Sequence, residues 1–293
     1  MQSICIFGII FSKEEIMQSK KEVGLNFIKK FYTDFICPYC KEKMYFAGES
    51  LKCTNKHTFD ITKKGTINFI ISPKIKESKI YNEKLFVCRR KFIENGYYAD
   101  VYELIANEIN DLNLDDITIL DLGCGEGIHS MNILGKIKSN YKYFGFDYSK
   151  CAINLASDYN SSNRFYFNGD VNNIPIASDS IDVIIDFLSP YSESEVKRVL
   201  KKGGIFIKIA PSSNYLLELR EASGLGKYQK QQEIIDNLGK YFKDIVTENY
   251  QRTFKIEKDD IENLIGMTPL KLRANNLKIE QITIDLNVYK MAK

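Results

Sequence analysis

The sequence predicts an α/β fold: a mostly parallel, Rossmann-like sheet with helices on both faces, preceded by a small metal-binding domain. Three observations predict it. From residue 117 onward, apolar strand-like runs alternate with helical patterns, as a parallel sheet with crossover helices requires. The first of those strands runs into Asp121-Leu122-Gly123-Cys124-Gly125-Glu126-Gly127. Upstream, Cys37, Cys40, Cys53 and His57 fall in the spacing C-x2-C-x12-C-x3-H.

The elements follow in order. Residues 1–33 read as an extension with no assigned role, and Met17 offers an alternative start. The apolar stretch Ile4 to Phe11 has no basic residues before it and no small-residue cleavage site after it, so no signal peptide is expected. No apolar run approaches the roughly 18–20 residues that cross a bilayer. Seven cysteines are an odd number, and three have a better use than disulfides, which suits a reducing, cytoplasmic setting. Residues 34–72 form the small metal-binding domain. Residues 73–116 form a linker that opens at Pro73, turns basic, becomes helical through Glu83 to Arg90, and continues after Gly96-Tyr97-Tyr98 with Val101, Leu104, Ile105 and Ile109 at helical spacing. Residues 117–293 carry the sheet.

Within that last region the strands are Ile117–Leu122, Tyr141–Phe146, Phe165–Phe167, Ile181–Phe187 and Gly204–Ala210, with helices from about 127, from Lys150 and over Glu193–Leu200. The tail holds a strand near Tyr250–Ile256, a helix at about 258–265, and a last strand near Leu277–Tyr289. The alternation of Ile282, Ile284, Leu286 and Val288 suits an added antiparallel strand.

The paired Cys37/Cys40 and Cys53/His57 suit a closed tetrahedral site, and thiolate with imidazole selects zinc. Four protein ligands leave no open position, so the zinc is structural. A region of about 40 residues needs such a staple.

The loop D-x-G-x-G-x-G departs from the dinucleotide fingerprint, whose third glycine would fall at Ile128. A pyrophosphate wants that closer approach to a helix N-terminus. S-adenosylmethionine, which has no phosphate, wants a tight glycine turn and nearby carboxylates. Asp121, Gly123, Gly125 and Gly127 supply the turn. Asp147 ends the second strand, where it can accept from ribose hydroxyls. Asp170 ends the third, beside the Val171 N–H, where the two can meet adenine. Cys124 reads as a small residue packed beneath the loop. His129, on the helix after it, reads as a packing or surface residue and not as a base.

The chain is similar to bacterial 23S rRNA methyltransferases that modify N1 of a guanine in a hairpin loop, some of which confer macrolide resistance. The resemblance covers residues 34–290. It rests on the zinc unit continuing into Phe59-Asp60, Gly65 and Asn68, on Arg89-Arg90-Lys91-Phe92 and Gly96-Tyr97-Tyr98, on Asp121 to Gly127, and on Met267-Thr268-Pro269 with Arg273-Ala274. It implies a class I methyltransferase sheet with S-adenosylmethionine as cofactor and structural zinc. It also implies that Tyr98 reaches the cofactor beside Gly125 and Glu126, and that Tyr215 does so from the segment after the fifth strand. The segment Leu188-Ser189-Pro190-Tyr191 matches the family only loosely.

The partner expected on this reading is 23S rRNA. Residues 34–93 hold 13 Lys+Arg against 6 Asp+Glu, so the positive charge is concentrated where a polyanion would be met. Arg89, Arg90 and Lys91 are the candidate RNA contacts, with a salt bridge to the acidic sheet domain as the alternative for the two arginines. Asp186, ending the fourth strand, is the candidate base for the N1 proton, with a turn-capping role or proton loss to solvent as alternatives. A small-molecule or tRNA methyltransferase and a non-catalytic RNA-binding protein are the rival functions. No membrane partner is expected, and a homodimer is the default assembly.

Overall fold

A computed structural model describes residues 4–6, 9–11, 18–71, 81–268 and 279–293. The expected boundary at 72 and 73, the basic stretch after Pro73, the residues Pro269, Arg273 and Ala274, and the expected strand start at Leu277 lie outside the described residues.

In chain order, β1 (Ile4–Ile6) and β2 (Ile9–Phe11) pair antiparallel. Helix α1 (Lys20–Phe31) follows. A three-stranded antiparallel ribbon comprises β3 (Met44–Ala47), β4 (Ser50–Cys53) and β5 (Thr58–Asp60). Helices α2 (Glu83–Glu94) and α3 (Ala99–Asn110) lead to β6 (Asp116–Leu122). Then come α4 (Ile128–Leu134), β7 (Asn140–Asp147), α5 (Lys150–Ala156), β8 (Arg164–Asn168), β9 (Ile181–Phe187), α6 (Glu193–Val199) and β10 (Leu200–Pro211). The tail adds α7 (Leu217–Ala222), α8 (Gln231–Gly239), β11 (Ile245–Lys255), α9 (Lys258–Met267) and β12 (Gln281–Ala292).

Seven strands make one sheet in the order β11-β12-β10-β9-β6-β7-β8. Strands β6 to β10 run parallel, and β12 is antiparallel to both β10 and β11. The expected antiparallel addition is therefore present, but β12 lies inside the sheet and the more exposed β11 forms its edge. Strand order reverses around β6, which opens a crevice at the carboxyl ends of β6 and its neighbours.

The period of two along each strand divides the core. Ile117, Ile119, Val183 and Ile185 face α3 and α4, while Leu120, Leu122, Phe144, Phe165 and Phe167 face the other side. That other side is covered by α1 and by the ribbon. Phe27 stacks on Phe165 at 5.2 Å, and Phe35 meets Phe69, Phe144, Phe165 and Phe167 with centroids 5.4 to 6.1 Å away. The Asn168 N–H donates to Ile67 O and the Phe69 N–H to Asn168 O, both at 2.9 Å, so the end of the ribbon segment pairs along β8.

Helix α1 starts where the local chemistry says it should. Ser19 and Glu22 form a capping box, and Val23, Phe27 and Ile28 form the buried stripe. Residues 20–31, expected as part of an unassigned extension, are thus a layer of the core.

Helix α1 crosses the ribbon at a point with no room for a side chain. A Cβ on Gly24 would lie 2.3 Å from Gly65 O, and Gly65 itself has φ +72°. Gly24→Ala is expected to cost about 1–3 kcal/mol through overpacking, read as a lower thermal midpoint. Gly239→Ala, where a Cβ meets nothing within 4 Å, should leave the midpoint unchanged or raise it.

Candidate cofactor site and metal centre

The two ligand pairs sit on two tight turns. Each is closed by a lysine in the left-handed region, Lys41 (φ 65°) after Cys40 and Lys56 (φ 65°) before His57. The Lys41 N–H donates to Cys37 O at 2.8 Å, and the Lys56 N–H to Cys53 O at 2.9 Å. The four donor atoms lie within 4.8 Å of one another. His57 Nδ1 is 3.5 Å from Cys37 Sγ and 3.4 Å from Cys53 Sγ, and Cys40 Sγ is 3.7 Å from Cys53 Sγ. Zinc bonds of about 2.3 Å to sulfur and about 2.0–2.1 Å to nitrogen give tetrahedral edges of about 3.8 and about 3.5 Å. The donor set fits that ion. Tyr39 lies over the His57 ring at 4.7 Å.

The ribbon also touches the far end of the sheet. The Asn173 side-chain amide donates to Pro38 O at 3.1 Å, and its Oδ1 accepts from Lys41 Nζ. Asn173 belongs to the turn begun by Asp170, whose Oδ1 accepts from the Asn172 N–H at 2.9 Å. One amide therefore joins the zinc turn to the turn expected to meet adenine.

At the carboxyl end of β6, Gly123, Gly125 and Gly127 all have positive φ, at 66°, 58° and 84°. A side chain at Gly123 would strike Ser189, whose Cβ lies 2.6 Å from the added carbon. Three left-handed residues in five turn the backbone sharply enough to expose the loop's edge, which glycine allows without strain. Asp121 is buried beneath this loop, where its Oδ2 accepts from the Ser130 hydroxyl and from Tyr143 OH, the latter at 3.0 Å. Asp147 ties the strand end to the loop: Oδ2 accepts from the Gly125 N–H at 3.0 Å and Oδ1 from the Ser149 N–H at 2.8 Å. Cys124 is buried in the core, as expected.

Four buried side-chain atoms have no hydrogen-bond partner among the described residues: Asp121 Oδ1, Glu126 Oε1, Asp186 Oδ2 and Arg90 Nη2. Asp121 and Glu126 belong to the glycine loop. Buried polar atoms are nearly always paired, so orphans grouped in one place mark a site completed by something else. Burial pushes up the carboxyls of Asp121, Glu126 and Asp147, Asp121 to about 7. A cationic ligand would relieve all three, so the residues present fit the ammonium and sulfonium of S-adenosylmethionine.

Tyr98 enters from the start of α3 and is buried. Its hydroxyl hydrogen-bonds that of Tyr215 at 2.8 Å, so the two tyrosines implied by resemblance meet. His129 is half-buried, lies on Phe187 at 4.1 Å and pairs through Nδ1 with Tyr102 OH at 2.8 Å. Burial holds its pKa well below the usual imidazole range, which keeps the ring neutral.

The three basic residues expected on the RNA side divide. Arg89 leans over the glycine loop, 3.6 Å from Glu126 Oε2. Arg90 lies over the Tyr159 ring at 5.5 Å. Lys91 alone of the three is exposed. The salt-bridge alternative therefore describes Arg89, and the reason is the azimuth of α2, which sends positions 89 and 90 inward beside Phe86 and Phe92.

Asp186, expected as a base, is fully buried. Its Oδ1 accepts from Lys208 Nζ at 2.9 Å, from the Ser189 hydroxyl at 2.8 Å and from the Ser189 N–H at 3.0 Å. Its Oδ2 is buried with no hydrogen-bond partner among the described residues. The bonds to Oδ1 match the turn-capping alternative: with Lys208, Asp186 holds Ser189 against Gly123. Lys208 and Asn173 carry no motif in the sequence, and Ser189 enters only in the segment that matches the family loosely. A lone lysine in the apolar run Ile207-Lys208-Ile209 was the available signal for the first.

No helix among the described residues is long and apolar enough to cross a membrane. Residues 113–263 match the family described as Methyltransferase domain, and residues 35–79 match the zinc ribbon described as RlmA, N-terminal. The Bacillus subtilis protein YxjB, which carries the name of a 23S rRNA (guanine-N(1)-)-methyltransferase, is 36% identical over 206 residues, covering 65% of this chain and 68% of that protein. A 23S rRNA (guanine(748)-N(1))-methyltransferase of Streptomyces fradiae is 22% identical over 240 residues, covering 80% of this chain and 84% of its own length.

A carboxyl raised to about 7 is neutral below that value and ionised above it, and a cation binds the ionised form. Affinity for S-adenosylmethionine is therefore expected to fall from pH 7 to pH 5.5, by at most tenfold per unit, a range in which an α-amino group of pKa about 7.7–8.0 stays protonated. Calorimetry across that range checks it, and Asp121→Asn should flatten the slope.

Proposed function

We propose that this chain, which belongs to the 23S rRNA (guanine-N1)-methyltransferase family and bears its N-terminal zinc ribbon, transfers a methyl group from S-adenosylmethionine to N1 of an unpaired guanine in 23S rRNA. The observation that carries this reading is the orphaned pair Asp121 Oδ1 and Glu126 Oε1 beneath a loop of three left-handed glycines. That arrangement asks for a cation against an exposed backbone edge.

Gly123, Gly125 and Gly127 would hold the amino-acid end of the cofactor. Asp147 would accept from its ribose, and Asp170 with the Val171 N–H would meet its adenine. Tyr98 and Tyr215 would close the site from the linker side. When bound, the cofactor supplies an electrophilic methyl on a sulfonium. The chain's own contribution is placement, which supplies most of the rate in such transfers. Asp121 and Glu126 lower the cost of bringing a cation into a buried space. Asp186 and Lys208 fix Ser189 beneath the glycine loop.

N1 lies on the pairing edge of guanine, so the base must be unpaired or flipped out, and a hairpin loop presents it so. On the RNA side the chain offers Lys91 and, on the zinc turn and the ribbon, the exposed rings of Tyr39 and Tyr45 together with the exposed Lys43 and Lys56. Exposed aromatics interleaved with cations suit single-stranded nucleic acid. The zinc ion would keep this surface rigid and attached.

Labelled cofactor incubated with unmodified 23S rRNA, followed by nuclease mapping, tests the reading. Label at N1 of one guanine is expected. No incorporation while the cofactor still binds would overturn the rRNA assignment in favour of tRNA or a small molecule. The metal has its own check. One zinc per chain is expected by elemental analysis, and stripping it should lower the unfolding midpoint of the whole chain in a single transition, because Cys37 and Cys53 belong to the core shared with the sheet. Separate transitions, with the sheet unaffected, would contradict that shared core.

A further inference from the structure

The arginine that leans over the glycine loop is held only by a loose ion pair. Its side chain is 22% exposed, and its Nη1 lies 3.6 Å from Glu126 Oε2, beyond the 2.7–3.2 Å of an ordinary N–H···O bond. Among the described residues it makes no hydrogen bond. One face of its guanidinium is occupied by the Phe86 ring at 5.3 Å. A Cβ at Gly125 would come within 3.3 Å of Arg89 Nη1, so the glycine at that position is also what leaves room beside the fork. The charge of Arg89 is felt at Tyr98, Tyr215, His129 and Asp147, which places it among the residues of the cofactor site.

Five N–H donors in a fixed plane match a carboxylate bidentately. Beside them stand the unpaired oxygens of Asp121 and Glu126, which ask for a cation. A permanently charged guanidinium next to carboxyls whose ionised form a cation would stabilise, each with unused hydrogen-bonding capacity, is complementary to a zwitterion. We infer that Arg89 binds the carboxylate of the cofactor's amino-acid moiety, with Glu126 holding the guanidinium over the loop. This rests on the cofactor reading above and adds a binding residue to it. It also gives the first arginine of Arg89-Arg90 a task separate from RNA.

The test compares two ligands that differ by that carboxylate alone. Binding of S-adenosylmethionine and of decarboxylated S-adenosylmethionine is measured by calorimetry, without RNA, for the intact chain and for Arg89→Met and Arg89→Lys. The intact chain should prefer the carboxylated ligand. Arg89→Met should weaken S-adenosylmethionine by about 10- to 100-fold, the range of a charge-assisted hydrogen-bonded pair, while leaving the decarboxylated ligand within about threefold. Retained binding of that second ligand shows that the variant is folded. Arg89→Lys, which keeps the charge and loses the fork, should fall between. Equal losses for both ligands would overturn the inference, as would unchanged affinity for S-adenosylmethionine combined with weaker binding of 23S rRNA. An intact chain that binds neither ligand would instead overturn the cofactor reading, and this inference with it.

Discussion

A layer of phenylalanine rings holds this molecule together. Phe27 from α1 and Phe35 and Phe69 from the ribbon segment close over Phe144, Phe165 and Phe167 of the sheet, with no exposed ring among them. In a doubly wound sheet this face is ordinarily covered by crossover helices. Here α5, after β7, packs on the opposite face and the connection after β8 holds no helix, so the face over those two strands is left to the N-terminal segment. Apolar area of this size is worth far more than any single polar contact in the chain. The metal turns, through Cys37 and Cys53, and the strand that leads into the glycine loop, through Leu120 and Leu122, belong to the same core.

That arrangement changes what the zinc is for. A closed four-ligand site does no chemistry of its own, and the sequence already says so. Its effect is mechanical. The turn at Cys37 to Lys41 is closed by the bond from the Lys41 N–H to Cys37 O, Cys37 belongs to the core of the ring layer, and Pro38 and Lys41 meet Asn173. The acidic end of β8 is thereby braced from outside the sheet.

Much of this was legible in the residues. The alternation of strands and helices, the antiparallel last strand, the zinc spacing and the acidic strand ends each depend on local pattern, and local pattern survives folding. Tyr98 and Tyr215 came only through resemblance, since nothing in their neighbourhoods marks them. What was not legible depends on long-range geometry. The azimuth of α2 decides whether Arg89 and Arg90 face solvent or the loop, and no periodicity on a short helix fixes that. Asp186 ends its strand as a catalytic carboxylate would, yet Lys208 lies on the adjacent strand directly beside it and claims the charge. Helix α1 shows a capping box and an apolar stripe, but only the uncovered sheet face explains why it is needed.

Asn173 is a small residue with a large inheritance. Its side chain faces the ribbon through Pro38 and Lys41, and its backbone closes the turn of Asp170. Two motifs that read as independent units, with separate spacings and separate ligands, thus share one amide. A change in the geometry of the zinc turn is therefore felt directly in the loop that follows the third parallel strand.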